Sequence, residues 1–316
     1  MALYLIKRTA SFVFTLVAAS LFIYFMLNLL GGDPAAAMLG DDANPADIAA
    51  IRERLGLNRP WYVQYTEWIS GFFTGDLGVS IITGREIAPT LLQRAVVTIP
   101  LALFSSVIAV TVAMSAGVYN ALHYRDLSGA LVSGASLVGI AIPNFWFGIL
   151  ASTYFAVRLG WFPAGGFPGW EAGFVAAITS LTLPALTIGL SQASTLTRHV
   201  RSSVLSVSRE DFIRTARSRG LTKRAALWRH GMRNAALPVI TVLGIQIGNL
   251  ISGTVVVENV FFLPGLGRMV VVAVGQRDLL IVQSTLMVIV ALVVVINYIT
   301  DIIYTLLDPR TKARTA

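Results

Sequence analysis

Six windows of this chain carry no charged side chain: Thr9–Leu30, Ala95–Leu122, Leu127–Val157, Ala172–Thr197, Asn234–Val257 and Leu279–Thr300. Each holds at least 22 residues, and a helix needs roughly 20 to cross the hydrocarbon core of a bilayer. The pattern predicts an all-α integral membrane protein with six transmembrane helices. Several windows exceed one crossing, so their ends continue into water or tilt. The first window follows Lys7 and Arg8, and Ala35–Ala37 has the look of a signal-cleavage site. Its uncharged stretch is longer than a signal core of roughly 7–15 residues, so a retained span is expected.

Six crossings put both termini on one side. With that side taken as cytoplasmic, 16 of the 24 Lys and Arg residues lie inside and 11 of the 16 acids lie outside. This bias predicts cytoplasmic termini. The longest polar segments, 31–94 and 198–233, are too short for a receptor or nucleotide-binding domain of typical size. The expected organisation is an N-terminal span plus extracytoplasmic segment over 1–94, then a core transmembrane domain over 95–316 containing the inner loop 198–233.

Composition agrees with the pattern. Hydrophobic residues make up 55% and charged residues 13%, against about 25% charged in soluble domains. Mean hydropathy is +0.73. The net charge of +8 fits cytoplasmic loops rather than a nucleic-acid partner. The chain has no cysteine, which excludes disulfides and thiolate chemistry. His123, His199 and His230 are too scattered to suggest a metal site.

After the first window, Asn44-Pro45-Ala46-Asp47 reads as a helix start, with Asn as cap, Pro at the first position and an acid in the first turn. Gly56 is the expected stop. Arg59-Pro60 opens a second helix carrying Trp61, Tyr62, Tyr65, Trp68, Ile69, Phe72 and Phe73. Trp and Tyr favour the membrane–water boundary. This helix either packs along the outer surface and the spans or serves as a platform for an external receptor.

Pro143 lies mid-window in Ile142-Pro143-Asn144-Phe145-Trp146, and Pro184 lies in the fourth window. Each removes a backbone hydrogen bond and predicts a kink. The amides of Asn144, Gln192, Gln246 and Asn249 need partners, either across helices or along a wet path. Asn144, Trp146, Gln246 and Asn249 are the candidate path residues. Gly244 and Gly248 form a GxxxG pair that allows close helix approach.

The inner loop holds ten Lys and Arg residues. Ser208 stands three residues before Asp211, as in a capping box, and predicts a short helix over about Arg209 to Arg219. Phe212, Ile213 and Ala216 share one face of it. Gly220 ends it, Thr222 caps a second short helix through Trp228 and His230, and Pro238 marks the start of the fifth span. The result is a helix–Gly–helix knuckle with a small apolar face and a basic rim. Such an element suits an anionic lipid surface or a groove on a soluble partner.

Arg214-Thr215-Ala216-Arg217-Ser218-Arg219-Gly220 resembles the EAA loop of bacterial ABC importer permeases, in the version of the peptide/nickel (dipeptide/oligopeptide) family. The general motif has Glu and Ala where this chain has Arg214 and Thr215, departures usual in that branch. Further matches run along nearly the whole chain. They include Gly32-Asp33-Pro34, Leu55-Gly56-Leu57-Asn58-Arg59-Pro60, Gly75-Asp76-Leu77-Gly78 with Ser80, and Gly160-Trp161-Phe162-Pro163. Phe261-Phe262-Leu263-Pro264-Gly265-Leu266-Gly267, Arg233-Asn234-Ala235-Ala236-Leu237-Pro238 and Leu307-Asp308-Pro309-Arg310 complete the set. The chain looks most like the first of the two permeases of such systems.

The resemblance implies the type I importer fold in the bacterial plasma membrane. It also implies a second related permease, two cytoplasmic ABC ATPases, and an extracytoplasmic solute-binding protein. Asp211, Phe212, Arg214, Thr215, Ala216, Arg217 and Gly220 would be the ATPase-coupling residues. No cofactor is expected in this chain, since ATP and magnesium would bind the partner ATPases. Peptides are the leading solute, with nickel chelates and glutathione as alternatives. The chain has no G-x-x-x-x-G-K-[ST], H-E-x-x-H or G-x-S-x-G. An intramembrane enzyme would need paired acids, a Ser–His pair or a metal cluster inside the spans, and the windows hold no acid. A lone secondary transporter usually carries intramembrane ionisable residues for ion coupling, and none is seen.

Overall fold

The computed structural model describes residues 2–30, 34–39, 44–54, 56–80 and 82–307. In chain order, α1 (Ala2–Leu30), α2 (Pro34–Leu39), α3 (Pro45–Arg54) and α4 (Trp61–Thr74) lead to the long α5 (Ile87–Leu122). Then come α6 (Leu127–Ala141), α7 (Asn144–Ala151), continued by a π-helical stretch Ser152–Arg158, and α8 (Phe174–Val207). α9 (Asp211–Ser218) and α10 (Lys223–Ala226) follow, and a π-helical stretch Leu227–Gly231 joins α10 to α11 (Met232–Val260). α12 (Leu266–Gly275) and α13 (Leu279–Leu307) complete the chain. Among the described residues there is no strand, only an isolated bridge between Val79 and Glu86.

Four helices are long and apolar enough to cross a membrane: Ile6–Leu29, Ile87–Leu122, Phe174–Val207 and Leu279–Ile303. The third window is a broken pair, α6 and α7, bent by 100°, which makes five candidate spans among the described residues. The break falls at Ile142-Pro143, both in extended conformation (Ile142 φ −80°, ψ 122°; Pro143 φ −62°, ψ 135°). Proline disfavours the helical conformation of the residue before it, so the expected kink becomes a full break. Pro184 instead lies buried inside an unbroken α8.

The contacts divide into two compact units, with boundaries inside α5 and α13. In the unit formed by 99–263 and 296–316, α8 is the central element. It buries Leu181, Ile188, Leu196 and Val200 and packs against α6, α7 and α11. Two glycines set its approach to α5. A Cβ on Gly117 would meet Val200 Cβ at 2.6 Å and the Thr197 carbonyl at 2.9 Å. One on Gly189 would meet the Ser105 carbonyl and Ile108 Cβ at 2.9 Å. Gly244 of the GxxxG pair also packs closely, facing Thr300 of α13.

In the unit formed by 2–98 and 264–295, α4 lies on α1. Tyr65 shares a 2.7 Å hydrogen bond with Ser20, and Tyr24 meets the rings of Tyr65 and Trp68 at 5.6 and 6.4 Å. The aromatic helix therefore packs on a span. Both predicted starts hold. Asn44 Oδ1 accepts the Ala46 N–H at 3.2 Å, and Pro60 precedes α4. Gly56 follows α3 with φ +69°. Gly32, Asp33, Leu55 and 308–310 of the matched motifs lie outside the described residues.

Large apolar side chains stay uncovered along the long helices, among them Phe22 (65%), Leu103 (63%) and Leu131 (66%). Such a surface is stable against lipid or another subunit, not against water.

Candidate functional site

The segment 198–233 begins as helix. α8 runs unbroken to Val207, so the first ten residues of the predicted loop extend the span. Ser208 is not a cap for α9. It closes α8, and its hydroxyl donates to the Leu205 carbonyl at 2.8 Å. Glu210 takes the cap position with no side-chain bond. Burial explains the difference: Val200, Ser203 and Val204 all face inward, and this packing carries the helix past its local stop signal. Pro238 also lies inside α11 rather than at its start.

The knuckle itself forms as its residues suggest. α9 ends at Gly220, whose φ of +93° is costly for any residue with a Cβ. Thr222 Oγ1 then accepts the Ala225 N–H at 3.2 Å and starts α10. Ile213 and Ala216 of α9 pack on Ala226 and Leu227, with Leu122, Val207 and Leu221 around them. Gly231 admits this packing, since a Cβ there would stand 3.1 Å from Leu227 and 3.4 Å from Ile213. The turn 123–126 braces the other side, where Lys223 Nζ and the Arg125 guanidinium lie over the Tyr124 ring at 5.6 and 5.3 Å. Below, Ser203 donates to the Ala235 carbonyl at 2.7 Å and ties α8 to α11.

The coupling candidates therefore divide. Ala216 is buried within the knuckle and builds it. Phe212 leaves the apolar face where its spacing placed it and stands 39% exposed. Asp211, Arg214, Thr215, Arg217 and Gly220 are exposed. Arg214 pairs with Asp211 at 3.4 Å on a fully hydrated surface, a contact worth little by itself. Trp228, 56% exposed, is a second outward aromatic that the helical spacing did not single out. The outer surface thus presents two aromatic rings among arginines, the residue types that dominate binding hot spots. Beside it a cleft of about 530 Å³ runs between Ser202, Leu205 and Glu210.

The path candidates lie on α7 and α11, two helices that pack together. Asn144 is half-buried at the first turn of α7, Trp146 is 49% exposed, and Gln246 is buried in α11. The side chain of Asn249 lies outside the described residues. Two buried carboxylates were not read from the sequence as site residues. Glu258, at the end of α11, and Asp278, before α13, are both fully buried.

The family of binding-protein-dependent transport system inner membrane components matches residues 109–313, and its N-terminal counterpart matches 1–102. The chain belongs to this family. A permease of this kind is the membrane component of a transport system, and nucleotide hydrolysis lies with separate subunits. Among relatives, the oligopeptide transport system permease protein AppB of Bacillus subtilis is 37% identical, covering 98% of this chain and 99% of that one. The glutathione transport system permease protein GsiC of Escherichia coli is 35% identical over 97% of each. The fold is similar to a chain of the inward-facing MetNI methionine ABC transporter, with a TM-score of 0.57 at 17% identity. That match covers 69% of this permease and 96% of the solved chain.

Proposed function

We propose that this permease forms half of a translocation pathway for di- and oligopeptides and receives the motion of cytoplasmic ATPases through its knuckle. One observation supports this most: a small, separately packed core of Ile213, Ala216, Ala226 and Leu227 holds Phe212 and Trp228 outward on a basic surface. A rigid body with exposed aromatic anchors suits helix-in-groove docking. ATP binding then shifts the equilibrium through its differential affinity for the two conformations.

In this reading α11 is the sixth span and both termini are cytoplasmic. Residues 1–94 form the N-terminal span with its extracytoplasmic segment, and 95–316 form the core. The partners are a second related permease, two ABC ATPases that bind ATP and magnesium, and an extracytoplasmic binding protein. Peptide as solute is supported by the name of the Bacillus subtilis relative. Glutathione is a second reading, supported by the name of the Escherichia coli one.

The test is ATP-driven uptake by the complex reconstituted in liposomes, with the solute held by the binding protein identified by mass spectrometry. Peptide uptake that needs every subunit is expected. Uphill transport by this chain alone would refute the proposal, and retention of glutathione without peptide would replace the solute.

A further inference from the structure

One face of α8 is left open by its own bundle. α5 packs on α8 at Thr197 and Val200, where Gly117 comes close, and α6 meets Ser194 through Gly139. α11 is bonded at Ser203. The open face runs Ser191, Thr195, Arg198, Ser202, Ser206 and Arg209 in steps of three and four. Such steps make one straight stripe on a helix, about 27 Å long at 1.5 Å per residue. Every position on it is polar, and Gln192 and His199 stand beside it.

The upper part of the stripe lies inside the uncharged window, yet its groups stay unbonded. Other hydroxyls of α8, those of Thr182, Thr187 and Ser194, donate to carbonyls four residues back at 2.8, 2.8 and 2.9 Å. Among the described residues, the side chains of Ser191, Gln192 and Thr195 make no hydrogen bond. They are half-buried, and none of their polar atoms is sealed off. An unbonded carboxamide at that depth is costly against hydrocarbon. A tight seam with a related chain is no better, since two basic stripes brought together across a two-fold axis set like charges against each other. Water satisfies both the neutral groups and the cations.

Further along, the stripe turns cationic. A cleft of about 510 Å³ lies against Thr195, Arg198, His199, Arg201 and Leu205, with no acid among its lining residues. A cleft of one sign concentrates ions of the other.

We propose that this stripe is a wall of the translocation route. Ser191, Gln192 and Thr195 are its water-bonded groups at membrane depth, and Arg198 and Arg201 receive the carboxylate of the departing solute. The inference rests on the reading of the chain as half of a peptide pathway and adds α8 to that path.

The test uses the complete transporter in nanodiscs, with one cysteine placed on this chain and its labelling read by mass. The probes are the 2-sulfonatoethyl and 2-trimethylammonioethyl methanethiosulfonates, both soluble only in water. Ser191→Cys and Thr195→Cys should react at least roughly tenfold faster than Leu103→Cys, which stands 63% exposed on α5. The anionic reagent should outpace the cationic one at Thr195→Cys by roughly tenfold, and Arg198→Gln with Arg201→Gln should remove that preference. Rates no higher than at Leu103→Cys would overturn the wall. An anion preference that survives both arginine changes would overturn the carboxylate site. A complex that labels as expected but takes up no peptide in liposomes supports the wall and removes only the peptide reading. If the variants do not assemble, hydroxyl-radical footprinting of the wild-type complex decides: oxidation of His199 and Leu205 supports an open wall, and protection of both overturns it.

Discussion

Ser80 donates a 2.5 Å hydrogen bond to Asp278 across 198 residues of sequence. Asp278 is fully buried, and it is the cap of α13, accepting the Ile281 N–H through Oδ1 at 3.3 Å. The serine hydroxyl also accepts the Thr83 N–H at 2.9 Å. One carboxylate therefore starts a span and anchors the loop before α5. Asp278→Ala should lower stability by about 2–4 kcal/mol, combining a lost cap with a lost charge-assisted bond. Ser80→Ala should cost about 1–2 kcal/mol. Thermal unfolding in detergent measures both, and an Asp278→Ala change within experimental error would refute the capping role.

The knuckle separates residues that build it from residues that present its surface. Phe212→Ala and Trp228→Ala should leave unfolding unchanged yet each weaken ATPase docking by about 1–2 kcal/mol, or roughly tenfold. Titration of the ATPase onto permease in nanodiscs reads this directly.

Ala216→Asp acts by another route. It buries a carboxylate against Ala226 and Leu227, at a cost on the order of a few kcal/mol. The expected result is a locally unfolded knuckle, detected as protease cleavage near Gly220, with loss of ATPase copurification. Normal yield and full coupling would show that this core is not needed.

The α5–α8 contact depends on two missing side chains. Gly117→Val and Gly189→Val should each destabilise the protein by about 1–3 kcal/mol through overpacking, because a backbone carbonyl stands in the way in both cases. Gly134→Ala, with open space around it, is the control and should be neutral or better. Unfolding temperatures in detergent test all three.

Orientation can be tested cleanly because the chain has no cysteine. Ser218→Cys, on the exposed surface of the knuckle, should react with an impermeant maleimide only after the inner face is opened. Ser70→Cys on α4 should react in intact cells. The reverse pattern would invert the topology and remove the ATPase reading with it.

How much was legible follows from the range of each signal. Five of the six windows were readable as candidate spans, because lipid forbids charge along more than 20 residues at once. Local chemistry was readable where the partner lies within a turn: Asn44 caps α3, Thr222 caps α10, and Gly56 and Gly220 end helices with positive φ. Ser208 misled because burial of Val200 and Val204 outweighs one hydroxyl. Phe212 misled because α9 has only eight residues, so the packing of Ile213 and Ala216 sets its rotation. Ser80–Asp278 and the glycines of the α5–α8 contact were silent, since neither sequence neighbourhood names a distant partner.

α8 remains one rod of 34 residues, about 51 Å at 1.5 Å per residue, with Pro184 inside it and the knuckle at its tip. A continuous helix fixes angle as well as reach. One alanine inserted near Val207 would turn everything beyond it by about 100° and advance it by about 1.5 Å. Phe212 and Trp228 would then point to the wrong side while every residue of the rod kept its own fold. Phase along a single helix, more than contact at its end, decides whether a push delivered at the tip becomes movement at the far mouth.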